Sequence, residues 1–251
     1  MSNSNKTVVF IISDVRSGST WLSYVLGSHS DSVHLGEYYR PFTMENHIAC
    51  RLCQAKGKSE CDYLKGIKKV DNKEAFDFAF NRFKKNRLID CSKQMDWIKN
   101  FINNQNFQSK IIHLHRDPRA FIASQKRRSP ELNIQETVTG WVKTNTQIEQ
   151  ELKLLNTNYT RAFYDELCIK PELYFAEQLS LFLEKPFENS SLQYWQKEHH
   201  GLGGNGAAFN NLSRFSDAMV NTGDDDYYKK MNHQLFYDSR WIDELSDKEK
   251  E

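Results

Sequence analysis

The chain contains 251 residues, of which 27% are charged, and its 34 lysines and arginines almost balance its 33 aspartates and glutamates. This balance argues against a protein whose affinity rests on a broad electrostatic contact with nucleic acid, so we expect no nucleic-acid partner. The N-terminus is polar and lacks the apolar stretch of a secretory signal, and no run of residues is apolar enough to span a membrane. We therefore expect a cytoplasmic protein without a membrane partner, in which residues 1–251 form one α/β domain.

A strand, a tight loop and a helix are predicted near the N-terminus. Residues 8–12 (VVFII) are apolar and β-branched and predict a buried strand, whereas residues 21–26 have the apolar spacing of a helix. Backbone N–H groups in such a loop, together with the helix N-terminus, direct positive partial charge at one point. The loop side chains that can donate to an anion there are Arg16, Ser17, Ser19 and Thr20. The segment predicts a site for a phosphate-like group, although a generic strand-turn-helix junction has the same pattern.

The loop differs from the phosphate loop of nucleotide triphosphatases. That motif, G-x-x-x-x-G-K-[ST], places a lysine on the outer phosphates and a hydroxyl on Mg²⁺. Here Ser19 stands where the lysine would be, and the cation comes at the front of the loop as Arg16. A small-molecule kinase with a divergent phosphate loop stays an alternative interpretation, but the missing lysine argues against it.

A second strand-turn-helix unit lies at residues 110–124 (KIIHLHRDPRAFIAS). Its apolar first half predicts a buried strand, and Pro118 suits the first turn of a helix, where its missing N–H costs little. This unit also ends in cations, Arg116 and Arg119, and in a hydroxyl, Ser124. Two such units on one parallel sheet form a cleft for a ligand with two separated anionic groups.

The rest of the chain alternates between strand and helix patterns. The segments predicted after the first helix are, in order, a helix at 74–86, a strand at 87–90, a helix at 133–156, a strand at 160–163 and a helix from Pro171. Strands that alternate with helices predict an α/β fold with a mainly parallel central sheet flanked by helices. Residues 201–225 are rich in Gly, Asn and Asp and predict a loop.

Together these motifs resemble those of the sulfotransferases that use 3′-phosphoadenosine 5′-phosphosulfate (PAPS). Residues 16–21 (RSGSTW) are similar to the family's 5′-phosphosulfate loop, and residues 115–120 (HRDPRA) with Ser124 are similar to its 3′-phosphate motif. The weaker matches, which extend the resemblance over most of the chain, are Leu35-Gly36-Glu37, Asp90-Cys91-Ser92-Lys93, Phe163-Tyr164-Asp165-Glu166-Leu167, residues 200–205 and Arg240-Trp241. The resemblance implies the P-loop-NTPase-like sulfotransferase architecture.

The resemblance also implies a sulfuryl donor and the residues that hold it. PAPS would supply the sulfuryl group and leave as 3′-phosphoadenosine 5′-phosphate (PAP), and no metal would be required for catalysis. The residues implied in donor binding are Arg16, Ser17, Gly18, Ser19, Thr20, Trp21, Arg116, Ser124 and Asn205. Bacterial members usually carry a proline and a basic residue after the position of Asn205, whereas this chain has residues 206–209 (GAAF). We expect that basic contact to be absent or to come from Arg214.

Two cations are candidates for stabilising the transfer. Negative charge develops on the departing phosphate oxygen, and fixed cations stabilise it without moving a proton. Arg16 suits this role because its guanidinium is permanently charged and can bridge two oxygens. Lys93 is a candidate second cation, although a solvent-facing lysine after a strand is an equally good interpretation.

The acceptor needs a general base, and Glu37 is the first candidate. The resemblance places a catalytic glutamate in a similar segment of several bacterial sulfotransferases. Arg40 can orient Glu37 and would lower the pKa of its carboxyl group unless burial opposes this, although a surface Glu-Arg pair is a competing interpretation. His34 is the alternative base because histidine titrates closest to neutrality. His113 and His115 alternate along the second strand, and we expect both to be structural.

Residues 45–73 are rich in lysine, cysteine and polar residues and predict an insertion over the cleft. Its potential zinc ligands have the spacing His-x2-Cys-x2-Cys-x7-Cys and are His47, Cys50, Cys53 and Cys61. We favour reduced or cross-linked cysteines in a lid over zinc, and so expect no metal. The cytoplasm disfavours a stable disulfide, and Cys91 and Cys168 are expected to be small buried residues.

The sequence and the resemblance together predict a PAPS-dependent sulfotransferase that acts by in-line attack. The expected acceptor is a hydroxyl or amine of a small molecule, with a specialised metabolite as the leading candidate and a carbohydrate or a peptide tyrosine as alternatives. Its pocket is expected between residues 38–73 and 201–225. The aromatic residues that suit a ring-bearing acceptor, or else belong to the core, are Tyr38, Tyr39, Phe42 and Trp97. A nucleotide-binding domain that has lost turnover is the non-enzyme alternative, and nothing in the pattern indicates an oligomeric state.

Overall fold

The computed structural model describes residues 5–44, 50–212, 227 and 237–251. Within these residues, five strands form one parallel sheet in the order β2-β3-β1-β4-β5. The strands are β1 (Thr7–Ile12), β2 (Ser32–Gly36), β3 (Arg87–Asp90), β4 (Gln108–His115) and β5 (Tyr159–Phe163). The predicted α/β fold with a parallel central sheet is confirmed.

Helices connect the strands and cover both faces of the sheet. They are α1 (Ser19–Gly27), α2 (Arg40–Thr43), α3 (Arg51–Ala55), α4 (Ala75–Phe83), α5 (Met95–Lys99), α6 (Pro118–Lys126), α7 (Ile134–Leu154), α8 (Tyr164–Ile169), α9 (Pro171–Leu173), α10 (Ser180–Leu183) and α11 (Gly206–Asn210), with two short helices at Trp241–Glu244 and Asp247–Lys250. Segments of 3-10 helix lie at Ile67–Lys69, Asn72–Glu74 and Asn189–Gln196. Among the described helices, none is both long and apolar enough to cross a membrane.

Strand β1 lies at the centre of the sheet and is buried on both faces. Its register places Thr7 beside Arg87 of β3 and Gln108 of β4. Successive side chains point to opposite faces, so Phe10 packs in the core that includes residues of α4, α5 and α7, whereas Ile11 packs in the core that includes residues of α1 and α8. This two-sided burial explains why the strand is a continuous apolar run, as is typical of parallel sheets.

The predicted elements are present, with two differences. The helix predicted from Pro171 begins there but continues as a π-helix at Tyr174–Leu179. The predicted loop at 201–225 contains α11, because Phe209 is buried in the core beside α1 and its N–H donates to the Asn205 carbonyl. Most of that segment beyond α11 lies outside the described residues.

The topology places the two sequence motifs next to each other. The chain leaves β1 for β2 and β3 on one side and then continues with β4 on the other side of β1. In open α/β sheets, ligands bind outside the carboxyl ends of the strands where the connections diverge in this way. The loops that follow β1 and β4 therefore meet at the position where a ligand is expected.

Candidate active site

The loop after β1 forms a cradle at the N-terminus of α1. Arg16 (φ 63°) and Gly18 (φ 88°) both have left-handed backbone conformations, which are typical of loops whose N–H groups converge on an anion. A Cβ at Gly18 would lie 2.3 Å from a ring carbon of Tyr164, so only glycine fits there. In the described structure, no side chain caps α1 and no acidic residue lies in its first turn. The positive end of the helix can therefore interact with a bound anion.

A cavity of about 300 Å³ opens beside the cradle. The predicted donor-binding residues that line it are Arg16, Gly18, Ser19, Thr20, Trp21, Arg116 and Asn205. The candidate catalytic side chains Glu37 and Lys93 line the same cavity. The other two predicted donor-binding residues, Ser17 and Ser124, are buried and do not belong to the described lining. The structure therefore brings together residues that the sequence separates by more than half its length.

Hydrogen bonds join the two motifs directly at one end of the cavity. The Arg16 Nε donates to Ser124 Oγ at 2.9 Å, and the main-chain carbonyl of Arg16 accepts from Arg116 Nη1 at 2.8 Å. The Arg116 guanidinium also lies 5.1 Å from the centre of the Tyr164 ring. Its Nε is buried and has no hydrogen-bond partner among the described residues. These contacts hold both cationic side chains at one end of the cavity.

Asp238 lies in this cationic end and was not predicted from the sequence. Its carboxylate contacts Arg116 (3.1 Å), Arg127 (3.3 Å) and Arg240 (2.8 Å). Burial acts to raise the pKa of Asp238, but the arginines, Arg240 first, outweigh it and hold this pKa at about 2. An anion surrounded by three guanidinium groups shows that this end of the cavity is suited to negative charge. The only signal in the sequence was the nearby match at residues 240–241.

Glu37 is held between two cations at the other side of the cavity. Its Oε1 accepts from Lys93 Nζ at 2.9 Å, and its Oε2 accepts from Arg40 Nε at 2.6 Å. Burial raises the pKa of Glu37, but Lys93 and then Arg40 lower it more, so the net pKa is below its ordinary value. The carboxylate is therefore ionised at neutral pH. Its side chain is only 13% exposed, which argues against the interpretation of a surface Glu-Arg pair.

Lys93 is not a solvent-facing lysine. Its side chain is 17% exposed, its backbone has a left-handed conformation (φ 60°), and its Nζ also donates to the Cys91 carbonyl at 3.1 Å. Burial lowers the pKa of Lys93, but Cys91 and Glu37 raise it above its ordinary value. Lys93 therefore stays protonated beside the cavity and is positioned to stabilise negative charge there.

The segment around Leu202, called the late loop here (residues 200–205), lines part of the cavity through Gly204 and Asn205. Leu202 N–H donates to the Leu35 carbonyl at 2.9 Å, and its carbonyl accepts from Glu37 N–H at 2.7 Å. Asn205 N–H donates to Thr20 Oγ1 at 3.1 Å. The late loop therefore fixes the backbone of Glu37 and contacts the cradle at the same time.

His34 does not occupy the position of a base. It is 2% exposed, its Nδ1 lies 2.6 Å from Ser23 Oγ, and burial followed by His199 lowers its pKa well below the ordinary value. His113 is fully buried and its Nε2 lies 3.2 Å from Asn145 Oδ1. Neither these two histidines nor His115 belongs to the described cavity lining. The alternative assignment of His34 as the base is therefore not supported, and His113 and His115 have structural surroundings.

Other predicted residues have varied positions. Tyr38 and Trp97 are buried in the core, so of the four aromatic candidates for the acceptor pocket only Tyr39 and Phe42 are partly exposed. Cys91 and Cys168 are buried small residues, as predicted. His47 and Arg214 lie outside the described residues.

The insertion contributes a cluster that the sequence predicted only in part. Cys50, Cys53 and Cys61 lie together, and among the described residues the histidine that approaches them is His200 of the late loop. His200 is far from the cysteines in sequence, so the spacing of the insertion gave no indication of it. The one signal in the sequence was the position of His200 at the start of the family resemblance at residues 200–205.

The arrangement has a clear chemical capacity. One end of the cavity offers a helix N-terminus and fixed guanidinium groups, which suit an anionic ligand. The other side offers an ionised carboxylate paired with a lysine, which suits proton removal beside a developing negative charge. Both sets face one volume and are positioned for the transfer of an anionic group to an acceptor.

Comparisons with known proteins identify the family and the fold of the chain. A model described as the sulfotransferase family matches residues 8–189 of the chain. One similar solved structure is the sulfotransferase domain from the curacin biosynthetic pathway, at 21% identity and a TM-score of 0.59, covering 95% of this chain and 96% of that chain. Another is the sulfotransferase domain from the Synechococcus PCC 7002 olefin synthase, at 18% identity and a TM-score of 0.48, covering 95% and 93%. No curated protein sequence matches this chain significantly. The curacin-pathway structure shows that its fold is shared by this chain.

Proposed function

This chain belongs to the sulfotransferase family, and from that premise we propose that it transfers the sulfuryl group of PAPS to a hydroxyl or amine of a small-molecule acceptor. The observation that carries the proposal is that the anion cradle at Arg16 and the ionised Glu37 line one cavity. A group-transfer enzyme needs both features within reach of the same ligand. A nucleotide-binding domain without turnover has no need of a buried carboxylate held between two cations.

The surroundings of Arg116 support PAPS as the donor. A 3′-phosphate distinguishes this nucleotide from ATP, and it requires a cationic subsite separate from the one for the 5′-phosphosulfate. We assign this subsite to Arg116, and the assignment is supported by its buried Nε, which lacks a hydrogen-bond partner among the described residues. Arg127 and Arg240 add positive charge at the same position. In this proposal the 3′-phosphate competes with Asp238 for the guanidinium groups.

The proposed chemistry assigns a role to three side chains of the cavity. The acceptor oxygen or nitrogen attacks sulfur, the bond from sulfur to the 5′-phosphate oxygen breaks, and PAP leaves with the electron pair. Arg16 and the first turn of α1 stabilise the charge that develops on the departing oxygen. Glu37 takes the acceptor proton once the acceptor has replaced one of its two cationic partners. Lys93 stabilises the sulfuryl oxygens.

A kinase is a weaker interpretation of the same cavity. Nucleotide triphosphatases hold Mg²⁺ through a carboxylate at the end of a neighbouring strand. The corresponding group here, Asp90 at the end of β3, is fully buried, and its two oxygens accept from Ser92 N–H and Trp97 Nε1, each at 2.7 Å. Burial raises the pKa of Asp90 to about 6. These contacts favour a structural role for Asp90 over a role as a metal ligand.

For the acceptor, we propose a specialised metabolite that enters on the side of Glu37. Tyr39 and Phe42 are partly exposed near the start of α2 and provide aromatic surface for it. We propose the cytoplasm as the compartment, because all five cysteines are free of disulfides.

The experiment that tests the proposal is the thermal stability of the protein with PAP, and separately with ATP and Mg²⁺. A ligand at about a hundred times its dissociation constant stabilises the folded state by ~2.7 kcal/mol. We expect stabilisation by PAP and turnover of PAPS with an acceptor screen read by mass spectrometry. Stabilisation by ATP with Mg²⁺ alone would overturn the proposal in favour of a kinase.

A further inference from the structure

Three cysteines and one histidine meet where the insertion packs against the late loop. The four residues, called the Cys3His cluster here, are Cys50, Cys53, Cys61 and His200. The His200 Nδ1 lies 3.7, 3.5 and 3.5 Å from the sulfur atoms of Cys50, Cys53 and Cys61, respectively. All four potential ligand atoms lie within 4.8 Å of one another.

The three distances from His200 Nδ1 to the sulfur atoms match those expected in a tetrahedral zinc site. With Zn–S bonds of about 2.3 Å and Zn–N bonds of about 2.0–2.1 Å, tetrahedral angles place the nitrogen about 3.6 Å from each sulfur. The three observed distances are 3.5, 3.5 and 3.7 Å. The set of three thiolates and one imidazole is also one of the standard ligand sets of structural zinc.

Hydrogen bonding alone does not account for the cluster. One imidazole nitrogen carries either a single N–H or a single lone pair, so it makes a good hydrogen bond with only one of the three sulfur atoms. All three thiols are nevertheless buried, with 2%, 4% and 5% of Cys50, Cys53 and Cys61 exposed. None of them forms a disulfide. A metal ion satisfies the three sulfur atoms and the nitrogen at the same time.

The surroundings of His200 are those of a metal-bound imidazole. Its second ring nitrogen, Nε2, lies 3.6 Å from the Glu198 carboxylate, which in turn pairs with Lys56 at 2.5 Å. A carboxylate near the distal nitrogen helps to fix the orientation of the ring. The ring of Tyr63 packs against the imidazole with 4.7 Å between centres. These contacts present Nδ1 to the sulfur atoms.

We propose that the Cys3His cluster binds a structural zinc ion that fastens the insertion to the late loop. Cys50 forms an isolated bridge with Leu202, two residues beyond His200. Leu202 in turn accepts the hydrogen bond from Glu37 N–H. The zinc ion touches no residue of the cavity and has no part in the transfer itself. It holds the segment on which the backbone position of Glu37 depends.

The first test uses the wild-type protein and no variant. We expect the protein purified without chelator to contain one zinc ion per chain by inductively coupled plasma mass spectrometry. Replacement with cobalt should give the thiolate-to-cobalt charge-transfer band and the intense visible bands of a tetrahedral site. Protein that contains no zinc and takes up neither metal, or that contains a disulfide among the three cysteines, would overturn the proposal. Stoichiometric iron in place of zinc would overturn it as well.

The second test uses matched variants and the same metal readouts. Cys61→Ser and His200→Ala should lose stoichiometric zinc and the cobalt charge-transfer band. His200→Cys should retain zinc, because a fourth thiolate completes the tetrahedron. Cys168→Ser is the control, since Cys168 is also buried but lies outside the cluster, and it should keep full occupancy. Equal zinc content in Cys61→Ser, Cys168→Ser and the wild type would contradict the assignment. If a variant does not fold, the cobalt spectrum of the wild-type protein decides the question.

Discussion

Arg116→Ala tests the donor site because two other arginines, Arg127 and Arg240, remain beside Asp238 after this guanidinium group is lost. Arg116 donates to the Arg16 carbonyl at 2.8 Å and to Asp238 at 3.1 Å. After the substitution, Arg127 and Arg240 still contact the Asp238 carboxylate at 3.3 and 2.8 Å. The substitution therefore leaves no buried charge unpaired. An unpaired buried charge is what makes the loss of an ion-pair partner strongly destabilising.

The magnitude follows from the interaction that is removed. A hydrogen bond to a charged group contributes about 1.5–3 kcal/mol, and a tenfold change in affinity corresponds to about 1.4 kcal/mol. Arg116→Ala should therefore weaken PAP binding by about tenfold to a hundredfold. Adenosine 5′-phosphate lacks the 3′-phosphate, so we expect the substitution to weaken its binding less than that of PAP, and only through the lost hydrogen bond to the Arg16 carbonyl.

The assay is isothermal titration calorimetry of both nucleotides against the wild type and the variant. Arg119→Ala is the matched control, because Arg119 belongs to the same motif but is 43% exposed and pairs with Asp117 at 2.6 Å. It should leave PAP affinity nearly unchanged. Equal weakening of both nucleotides by Arg116→Ala, or unchanged PAP affinity, would refute the assignment of Arg116 to the 3′-phosphate.

Three further predictions concern the base, the cradle and the acid stability. Glu37→Gln should lower kcat with PAPS by about a hundredfold or more while PAP affinity from calorimetry stays nearly constant; a parallel loss of both would exclude Glu37 as the base. Gly18→Ala should destabilise the fold by about 1–3 kcal/mol in chemical denaturation, because its φ of 88° and the Tyr164 ring 2.3 Å from a Cβ leave no room for a side chain; an unchanged midpoint would contradict this. Asp238 has a pKa of about 2 against an ordinary 3.8, so its ionised form stabilises the fold at neutral pH by ~2 kcal/mol, and this contribution is lost as the pH falls through that interval. Asp238→Asn should therefore flatten the stability curve between about pH 4 and pH 2, and a curve parallel to that of the wild type would count against the pairing.

Local pattern was sufficient to predict the sheet and the two motifs. The apolar run at residues 8–12 and the run within 110–124 are both buried on two faces, so their composition alone indicated parallel strands. Because parallel strands share one carboxyl edge, the loops that carry Arg16 and Arg116 had to lie near each other once both strands were identified. The cradle was therefore predictable from spacing and elementary geometry.

Contacts between distant segments were not predictable in the same way. Asp238 joins Arg116, and His200 joins the three cysteines, across more than a hundred residues of sequence. Such pairings depend on how distant segments pack against the sheet, and no periodic pattern in the sequence indicates them. The roles of Glu37 and Arg16 in transfer, and the assignment of residues 1–251 to one domain, stay predictions.

The hydrogen bond from Glu37 to Leu202 connects the beginning of the chain to its last quarter. Among the described residues, every strand of the sheet lies before that quarter, since β5 ends at Phe163. A fragment that ends before residue 202 can therefore contain all five strands and still lack the contact that holds Glu37. For anyone who trims, splits or circularly permutes this chain, the sheet and the active site are separate requirements. A fragment with native circular dichroism has met only the first of them.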